Sequence, residues 1–360
     1  MAHKCEAVID LNSIKDNYKI ACGLAPDSKS IAVIKADAYG HGAVQVTKAL
    51  EGIAPAFAVA IIEEAIELRN AGIKEMILVM EGVDGAEDLK YAAKNDLSVV
   101  VHNESQLLNL ENVTLSNPVN VWLKVDTGMH RLGIDPGKVD DAVTRLRASK
   151  NCQSSLVVCT HLASSENTNS NMTSKQINLF DLSVNDLNVT ESIANSGAIL
   201  ASPNSHRDWN RPGYLIYGYT PFEDDREKNY GLKPSMTLQS EIIALRQILA
   251  GESVGYGGKW TATDETIIAT VAIGYADGYP RHAKNGTPTL VNGKIAPVVG
   301  AVSMDMITID VTNIEDTEIG DRVILWGPEL PVNQVAKSSN TIGYELITGL
   351  TRRVSRRYIK

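Results

Sequence analysis

The stretch SIAVIKADAYGHG, residues 30–42, decides the fold. Ile31, Ala32, Val33 and Ile34 run straight into Lys35 and then into a polar, glycine-punctuated segment. A short continuous apolar run bounded by such signals reads as a buried strand. Lys35 then stands where the strand ends and a loop begins. In a barrel of alternating strands and helices, the carboxyl ends of the strands carry the chemistry. A lysine held there and partly desolvated can lose its proton and condense with an aldehyde. Most lysines sit in water, so this reading draws its weight from residues further along.

Outward from that strand, apolar runs alternate with helical patterns. Candidate strands fall at 30–34, 56–59, 76–79, 98–100, 119–125, 155–160, 190–194 and 209–211, eight in all. The clearest helix between them covers 61–71, where Ile61, Ala65 and Leu68 repeat at helical spacing. Segments 135–148 and 174–187 read similarly. Strands alternating with helices imply a parallel sheet, and eight units suggest a (β/α)8 TIM-like barrel over an open doubly wound sheet. No GxGxxG or Walker motif follows a strand, so nucleotide binding lacks motif support.

The texture changes after about residue 224. Residues 223–229 are charged and read as a surface linker. Beyond lie segments rich in Val, Ile and Thr at 236–249, 266–273, 289–291, 295–299, 306–311 and 322–325. Within them Val291-Asn292-Gly293-Lys294 suits a hairpin with a type I′ turn. The expected division is a barrel over 1–228 and a mostly β C-terminal domain over 229–360. A strand at 6–11 precedes the barrel and can join that second domain.

The 360 residues carry 34 Lys and Arg against 43 Asp and Glu, a net charge of −9 that argues against nucleic acid as a partner. The one dense basic run, Arg352, Arg353, Arg356 and Arg357, reads as strand-edge charge. Cys5, Cys22, Cys152 and Cys159 form no CxxC and no zinc-spaced cluster, so no metal is expected. Free thiols suit a reducing cytosol. Asp10, Lys15 and Asp16 interrupt any leader-like apolar core, and no apolar run approaches the ~20 residues of a membrane span. A cytoplasmic protein without membrane contact is expected.

Phosphate-binding signals sit at two strand ends. Asn195-Ser196-Gly197 ends the seventh candidate strand and opens a helix, and Arg211-Pro212-Gly213-Tyr214 ends the eighth. Barrels frequently hold a phosphate after strands seven and eight. Taken alone, Ser196 reads first as a helix cap without a ligand.

IAVIKADAYGHG resembles the pyridoxal-phosphate attachment segment of alanine racemases. Further segments resemble that family in the same order, from about residue 32 to 357: KVDTGMHR ending at Arg131, CTHLASSEN around His161, Arg211-Pro212-Gly213-Tyr214, VGYGG around Tyr256, GYADGYPR from 274 and GAVSMDM from 300. The resemblance implies pyridoxal 5'-phosphate joined to Lys35. It implies that Ser196, Gly213 and Tyr214 hold the phosphate, the last two through backbone N–H, with hydroxyls from Tyr39 and Tyr344. It places Arg211 beside the pyridine nitrogen. A guanidinium does not readily give up a proton, so the ring would stay unprotonated, a poorer electron sink that favours reprotonation at Cα.

Racemisation needs acid/base groups on opposite faces of a planar carbon. By resemblance these are Lys35 and Tyr256, with His161 linking Tyr256 towards Arg211. Arg131 would meet the substrate carboxylate, and Lys124 matches a lysine that is commonly carbamylated and steadies that arginine. Met304 would offer its N–H to the same carboxylate, with Asp305 nearby. Tyr275, Arg281 and Ile342, with Tyr344, match positions lining a narrow corridor for a small amino acid. The family assembles as a homodimer whose sites are shared between subunits. His130 is a glycine in some members, and Gly255 and Gly343 are variable points. The implied activity is interconversion of L- and D-alanine, supplying D-alanine for peptidoglycan.

Three alternatives share parts of this pattern. A serine or broad-specificity racemase would use the same motifs. A barrel decarboxylase needs a C-terminal cysteine, yet all four cysteines lie before residue 160. A non-catalytic pyridoxal-phosphate-binding protein would be the barrel alone, with no use for Tyr256.

Overall fold

In the computed structural model the described residues are 4–222 and 230–360. The expected linker at 223–229 lies outside them. The chain forms two compact units. One, the barrel unit, comprises Ile14–Ala38 and the described residues from 43 to 232; the other, the β unit, comprises the described residues up to 13, Tyr39–Gly42 and Lys233–Lys360.

The chain opens with β1 (Glu6–Asp10) and a helix over Leu11–Leu24. Asp10 sets the helix start, since its Oδ1 accepts the N–H groups of Asn12 (2.9 Å) and Ser13 (3.2 Å). The barrel strands come next: β2 (Lys29–Ser30), β3 (Ala32–Val33), β4 (Ala56–Val59), β5 (Met76–Val79), β6 (Leu97–Val101), β7 (Asn120–Lys124), β8 (Val157–Cys159), β9 (Thr190–Ser192) and β10 (Trp209–Asn210). All pairings among them are parallel, in the order β2-β10-β9-β8-β7-β6-β5-β4-β3. β2 and β3 are two halves of one strand broken at Ile31. The ring closes there: Lys29, Ile31 and Val33 donate to the carbonyls of Asp208 (2.8 Å), Asn210 (2.9 Å) and Pro212 (3.0 Å). Strands such as AFAV in β4 and LSVVV in β6 are buried throughout, as a parallel sheet covered by helices requires. Helices over Ile62–Asn70, Val139–Ala148 and Met172–Val184 take up the amphipathic segments.

The β unit is built on β11 (Met236–Ile248), whose first seven residues alternate buried and partly buried. The strand changes partners at about Ile242, where its new pairing carries a register shift between Ile242 and Ala244. Before it, β11 pairs with β1 and β18 (Arg322–Trp326); after it, with β14 (Thr266–Val271). β12 (Ser253–Val254) and β13 (Trp260–Thr261) form a separate hairpin. β15 (Pro288–Val291) and β16 (Lys294–Pro297) are joined by Asn292 (φ 51°) and Gly293 (φ 74°), the double positive φ of a type I′ turn. β17 (Ile307–Asp310) pairs with β14, and β19 (Ser355–Ile359) adds to β1. The basic run at 352–357 thus runs into a strand at the sheet edge, as its spacing suggests.

None of the four cysteines is in a disulfide. Among the described residues no cluster of His, Cys, Asp or Glu could hold a metal, and no helix is long and apolar enough to cross a membrane.

Candidate functional site

Lys35 stands directly after the end of the first barrel strand and opens a turn of unusual hand. Ala36 (φ 52°, ψ 53°), Asp37 (φ 53°, ψ 48°) and Ala38 (φ 53°, ψ 51°) form a left-handed helical turn that Tyr39 continues at φ 52°. For L-residues that conformation costs about 1–2 kcal/mol each. Hydrogen bonds offset it: Ala36 N–H meets Glu64 Oε1 at 2.6 Å, Ala38 N–H meets the Ile34 carbonyl at 2.9 Å, and Asp37 Oδ1 accepts Ala43 N–H at 2.7 Å. Two glycines complete the segment within the β unit. A Cβ at Gly40 (φ 78°) would fall 2.0 Å from the Ile347 carbonyl oxygen, and one at Gly42 (φ 93°) 2.0 Å from the Tyr358 hydroxyl. Only glycine fits either place.

Burial pushes the Lys35 amine below its ordinary pKa, and the charge of Arg131 adds to that; Glu81 and Glu64 act weakly the other way. Lys124, the last residue of β7, is also lowered, chiefly by burial and further by Arg211, Arg131 and Lys35. His161 lies just beyond β8, deep at the strand ends while keeping some solvent-facing surface. Burial comes first, then Arg211, Lys124, Arg131 and Lys35, in holding its imidazole well below 6.5. Five residues picked from sequence therefore converge at the carboxyl ends of β3, β7, β8 and β10.

Arg211 is 8% exposed and firmly held. Its guanidinium donates to Ser192 Oγ, to the Thr160 carbonyl and to the Ile193 carbonyl, the last at 3.1 Å. Arg131 is exposed, at the end of a loop organised by Asp126. Asp126 Oδ1 accepts Gly128 N–H and His130 N–H, both at 3.0 Å, and Oδ2 meets His130 Nδ1 at 3.1 Å. His130 sits at φ 54°. That left-handed backbone is why glycine is at home in this position, and the Asp126 bonds keep histidine there.

Asn195, rather than Ser196, caps the helix over Ser196–Ala201: its Oδ1 accepts Ala198 N–H at 3.1 Å. The Ser196 hydroxyl instead accepts Gly213 N–H (2.9 Å) and Leu215 N–H (3.2 Å). Tyr214 is buried beside them, its ring 5.1 Å from that of Tyr219. The Ser196 hydroxyl and two backbone N–H groups, from the segments that follow β9 and β10, thus meet at one point.

The remaining sequence-picked residues belong to the β unit. Tyr39 is buried, with its hydroxyl pKa raised by burial, and its ring lies 6.2 Å from that of Tyr344. The Arg281 guanidinium lies 6.0 Å from the Tyr275 ring centre. Ala276 N–H donates to the Met304 carbonyl at 2.9 Å, and Asp305 accepts Arg353 at 2.7 Å. Tyr256 is 75% exposed at the tip of the β12–β13 hairpin, between Gly255 (φ 72°) and Gly257 (φ 74°). Met304 (53%) and Ile342 (63%) are exposed as well. A cavity of about 500 Å³ bounded by Asp27, Glu191, His206 and Asp208 lies at the opposite, amino ends of the barrel strands and contains none of these residues.

Sequence reasoning missed Glu64, Ser192, Thr160 and Gln176, which support the site rather than line it. A glutamate three residues into a helix was a usable signal for Glu64; the others are joined by contacts no local pattern announces.

The chain matches two family models, described as alanine racemase, N-terminal domain, over residues 9–221 and alanine racemase, C-terminal domain, over residues 235–358. It is 44% identical over 355 residues to an alanine racemase of Vibrio parahaemolyticus, covering 99% of each chain. It is 46% identical to one of Actinobacillus succinogenes, covering 98% of each. Among solved structures it resembles the biosynthetic alanine racemase of Pseudomonas aeruginosa at 43% identity, TM-score 0.97, with 100% of both chains covered. It resembles that of Bartonella henselae, solved with covalently bound pyridoxal phosphate, at 30% identity and TM-score 0.90, covering 99% of each.

Proposed function

The chain belongs to the alanine racemase family, and from that premise we propose that it interconverts L- and D-alanine with pyridoxal 5'-phosphate, providing D-alanine for peptidoglycan. The observation that carries the reading is the state of Lys35: an amine at a barrel strand end, depressed by burial and by Arg131, fixed by the left-handed turn behind it. Such an amine is available both as a nucleophile and as a base.

The residues present fit the cofactor. Lys35 supplies the amine, and Ser196 with the N–H groups of Gly213 and Tyr214 supplies a phosphate's donors. Tyr39 and Tyr344 add hydroxyls to that set. Arg211, tied by Ser192 and two carbonyls, presents a fixed cation that does not transfer its proton. When bound, the cofactor withdraws electron density from the substrate's Cα and acidifies its proton.

Lys35 moves that proton on one face. Tyr256 serves the other face, from a second copy of the chain in a homodimer. Its 75% exposure, and that of Met304 and Ile342, supports a surface completed by another subunit. His161, held neutral, accepts hydrogen bonds without becoming charged, which suits a relay between Tyr256 and Arg211. Arg131 binds the substrate carboxylate, joined by the N–H of Met304 with Asp305 nearby. Lys124 has a depressed amine facing Arg211, Arg131 and Lys35. Addition of carbon dioxide to it, with release of a proton, would place an anion among three cations and steady Arg131. Tyr275, Arg281 and Ile342 line the approach and favour a small amino acid. By this reading the barrel domain falls within 1–228, with its opening strand β1 joining the catalytic tyrosine's domain at 229–360.

The test is α-proton exchange in D₂O with the purified protein and pyridoxal phosphate, run with L-alanine, L-serine and L-lysine and followed by chiral analysis. Fast exchange with inversion for alanine alone is expected. Comparable rates for all three would mean a broad-specificity racemase, and cofactor binding without exchange would overturn the enzymatic reading.

A further inference from the structure

The Gln176 side chain sits on the helix Met172–Val184, fully buried, and reaches two loops at the carboxyl ends of adjacent strands. Its carboxamide oxygen accepts Ala163 N–H at 2.8 Å. Its nitrogen donates to the His161 carbonyl at 3.1 Å and to Thr127 Oγ1 at 3.3 Å. The bonds continue inward. Thr127 Oγ1 meets Thr160 Oγ1 at 2.8 Å, and Thr160 Oγ1 donates to the Val125 carbonyl at 2.9 Å. The Thr160 carbonyl receives the Arg211 guanidinium. Thr127 (4%), Thr160 (1%) and Arg211 (8%) are all buried. Gly128, in the same loop as Arg131 and at φ 130°, packs beside this arm: a Cβ there would lie 3.7 Å from Gln176 Cγ, in ordinary contact.

We propose that Gln176 is a positioning residue that fixes the Arg131 loop and the His161 segment relative to each other. This rests on the roles proposed above for Arg131 and His161. A carboxamide suits the task because it offers one acceptor and two donors without charge. All three of its bonds are used, two on the His161 segment and one on the Arg131 loop. Neither loop has a regular ladder holding it to the other at this level, since the β7–β8 pairing ends at Lys124 and Cys159. Beyond that point the Val125 N–H to Cys159 carbonyl bond (2.8 Å), the Thr160 Oγ1 bond to the Val125 carbonyl (2.9 Å) and the Gln176–Thr127–Thr160 bonds tie the two together.

The experiment compares Gln176→Met, which keeps the arm's length but removes every hydrogen bond, with Gln176→Glu, which keeps the acceptor. Two readouts are taken on the holoenzyme. The first is amide hydrogen exchange at 126–131 and 161–163. The second is KM against kcat for both alanine enantiomers. Gln176→Met should exchange about tenfold or more faster in both loops, as the loss of its three hydrogen bonds implies. It should raise KM for both enantiomers by about tenfold, with a smaller change in kcat. Gln176→Glu should lie between. Unchanged exchange in both loops, or a fall in kcat at constant KM, would overturn the proposal. If Gln176→Met fails to fold, Gln176→Glu carries the same comparison. The exchange readout does not depend on what Arg131 and His161 do, so a failure of the clamp is distinguishable from a failure of the functional reading.

Discussion

The carboxylate of Glu64 accepts the backbone N–H of Ala36 at 2.6 Å, one residue beyond Lys35. Its second oxygen accepts Ala60 N–H at 2.8 Å. One side chain thus joins the end of the second barrel stave to the turn that carries the reactive lysine. Hydrogen bonds to a charged group are worth about 1.5–3 kcal/mol each. Glu64→Ala should lower stability by about that amount in urea titrations and should slow catalysis by about tenfold or more. It also removes an acidic neighbour that raises the Lys35 pKa, so the pH dependence of cofactor attachment should move to lower pH. No movement would mean that the turn holds itself.

Tyr256 and Lys35 are assigned to opposite faces of the substrate. Tyr256→Phe should therefore slow removal of the α-proton from L-alanine by about 10²–10⁴-fold, the range for a general acid or base. Removal from D-alanine should fall far less. Single-turnover exchange in D₂O with each enantiomer separates the two, and equal losses would contradict the assignment.

Shared sites make a second prediction about the same pair. Lys35→Ala and Tyr256→Phe proteins, each inactive alone, should recover activity when mixed under conditions where subunits exchange. Mixed dimers then carry one intact site. Continued inactivity with subunit exchange demonstrated by mass spectrometry would count against a homodimer with shared sites.

His161 gives a pH prediction. Its folded pKa lies well below 6.5, through burial and four neighbouring cations, whereas in an unfolded chain it titrates near 6.5. Between those values the unfolded state holds a proton that the folded state does not. Stability must fall as pH drops from about 6.5 towards the folded value, with a slope of up to about 1.4 kcal/mol per pH unit. Urea midpoints between pH 7 and 5 should show His161→Gln losing less than the parent protein. Parallel curves would mean that the histidine is not held neutral.

The barrel was legible because strands such as β4, β6 and β8 are buried on both faces and so read as apolar runs. The segment at 56–59 agrees residue for residue with β4, and 76–79 with β5. The Asn292-Gly293 turn was legible because glycine and asparagine supply the positive φ it needs. The turn after Lys35 was not, since alanine ordinarily avoids that region and a run of such residues is held by hydrogen bonds that include one from the distant Glu64. Asn195 took the capping role expected of Ser196, whose hydroxyl is taken up instead by the Gly213 and Leu215 N–H groups. Gln176 reads as a polar residue on an amphipathic helix, and nothing within its own segment shows that its amide ends at two loops.

β1 has one further consequence, for the order in which the newborn chain can fold. Residues 6–10 leave the ribosome well before their partners, β11 at 236–248 and β19 at 355–359. Ile9 and Tyr358 become neighbours only after the whole of β19 has been made. The barrel ring needs nothing later than Pro212 for its closing bonds, so it can form while β1 still waits with both edges bare. An unpaired strand is an invitation to wrong partners. Slow or stalled synthesis beyond about residue 230 should therefore raise aggregation of the nascent chain, with β1 as the sticky end.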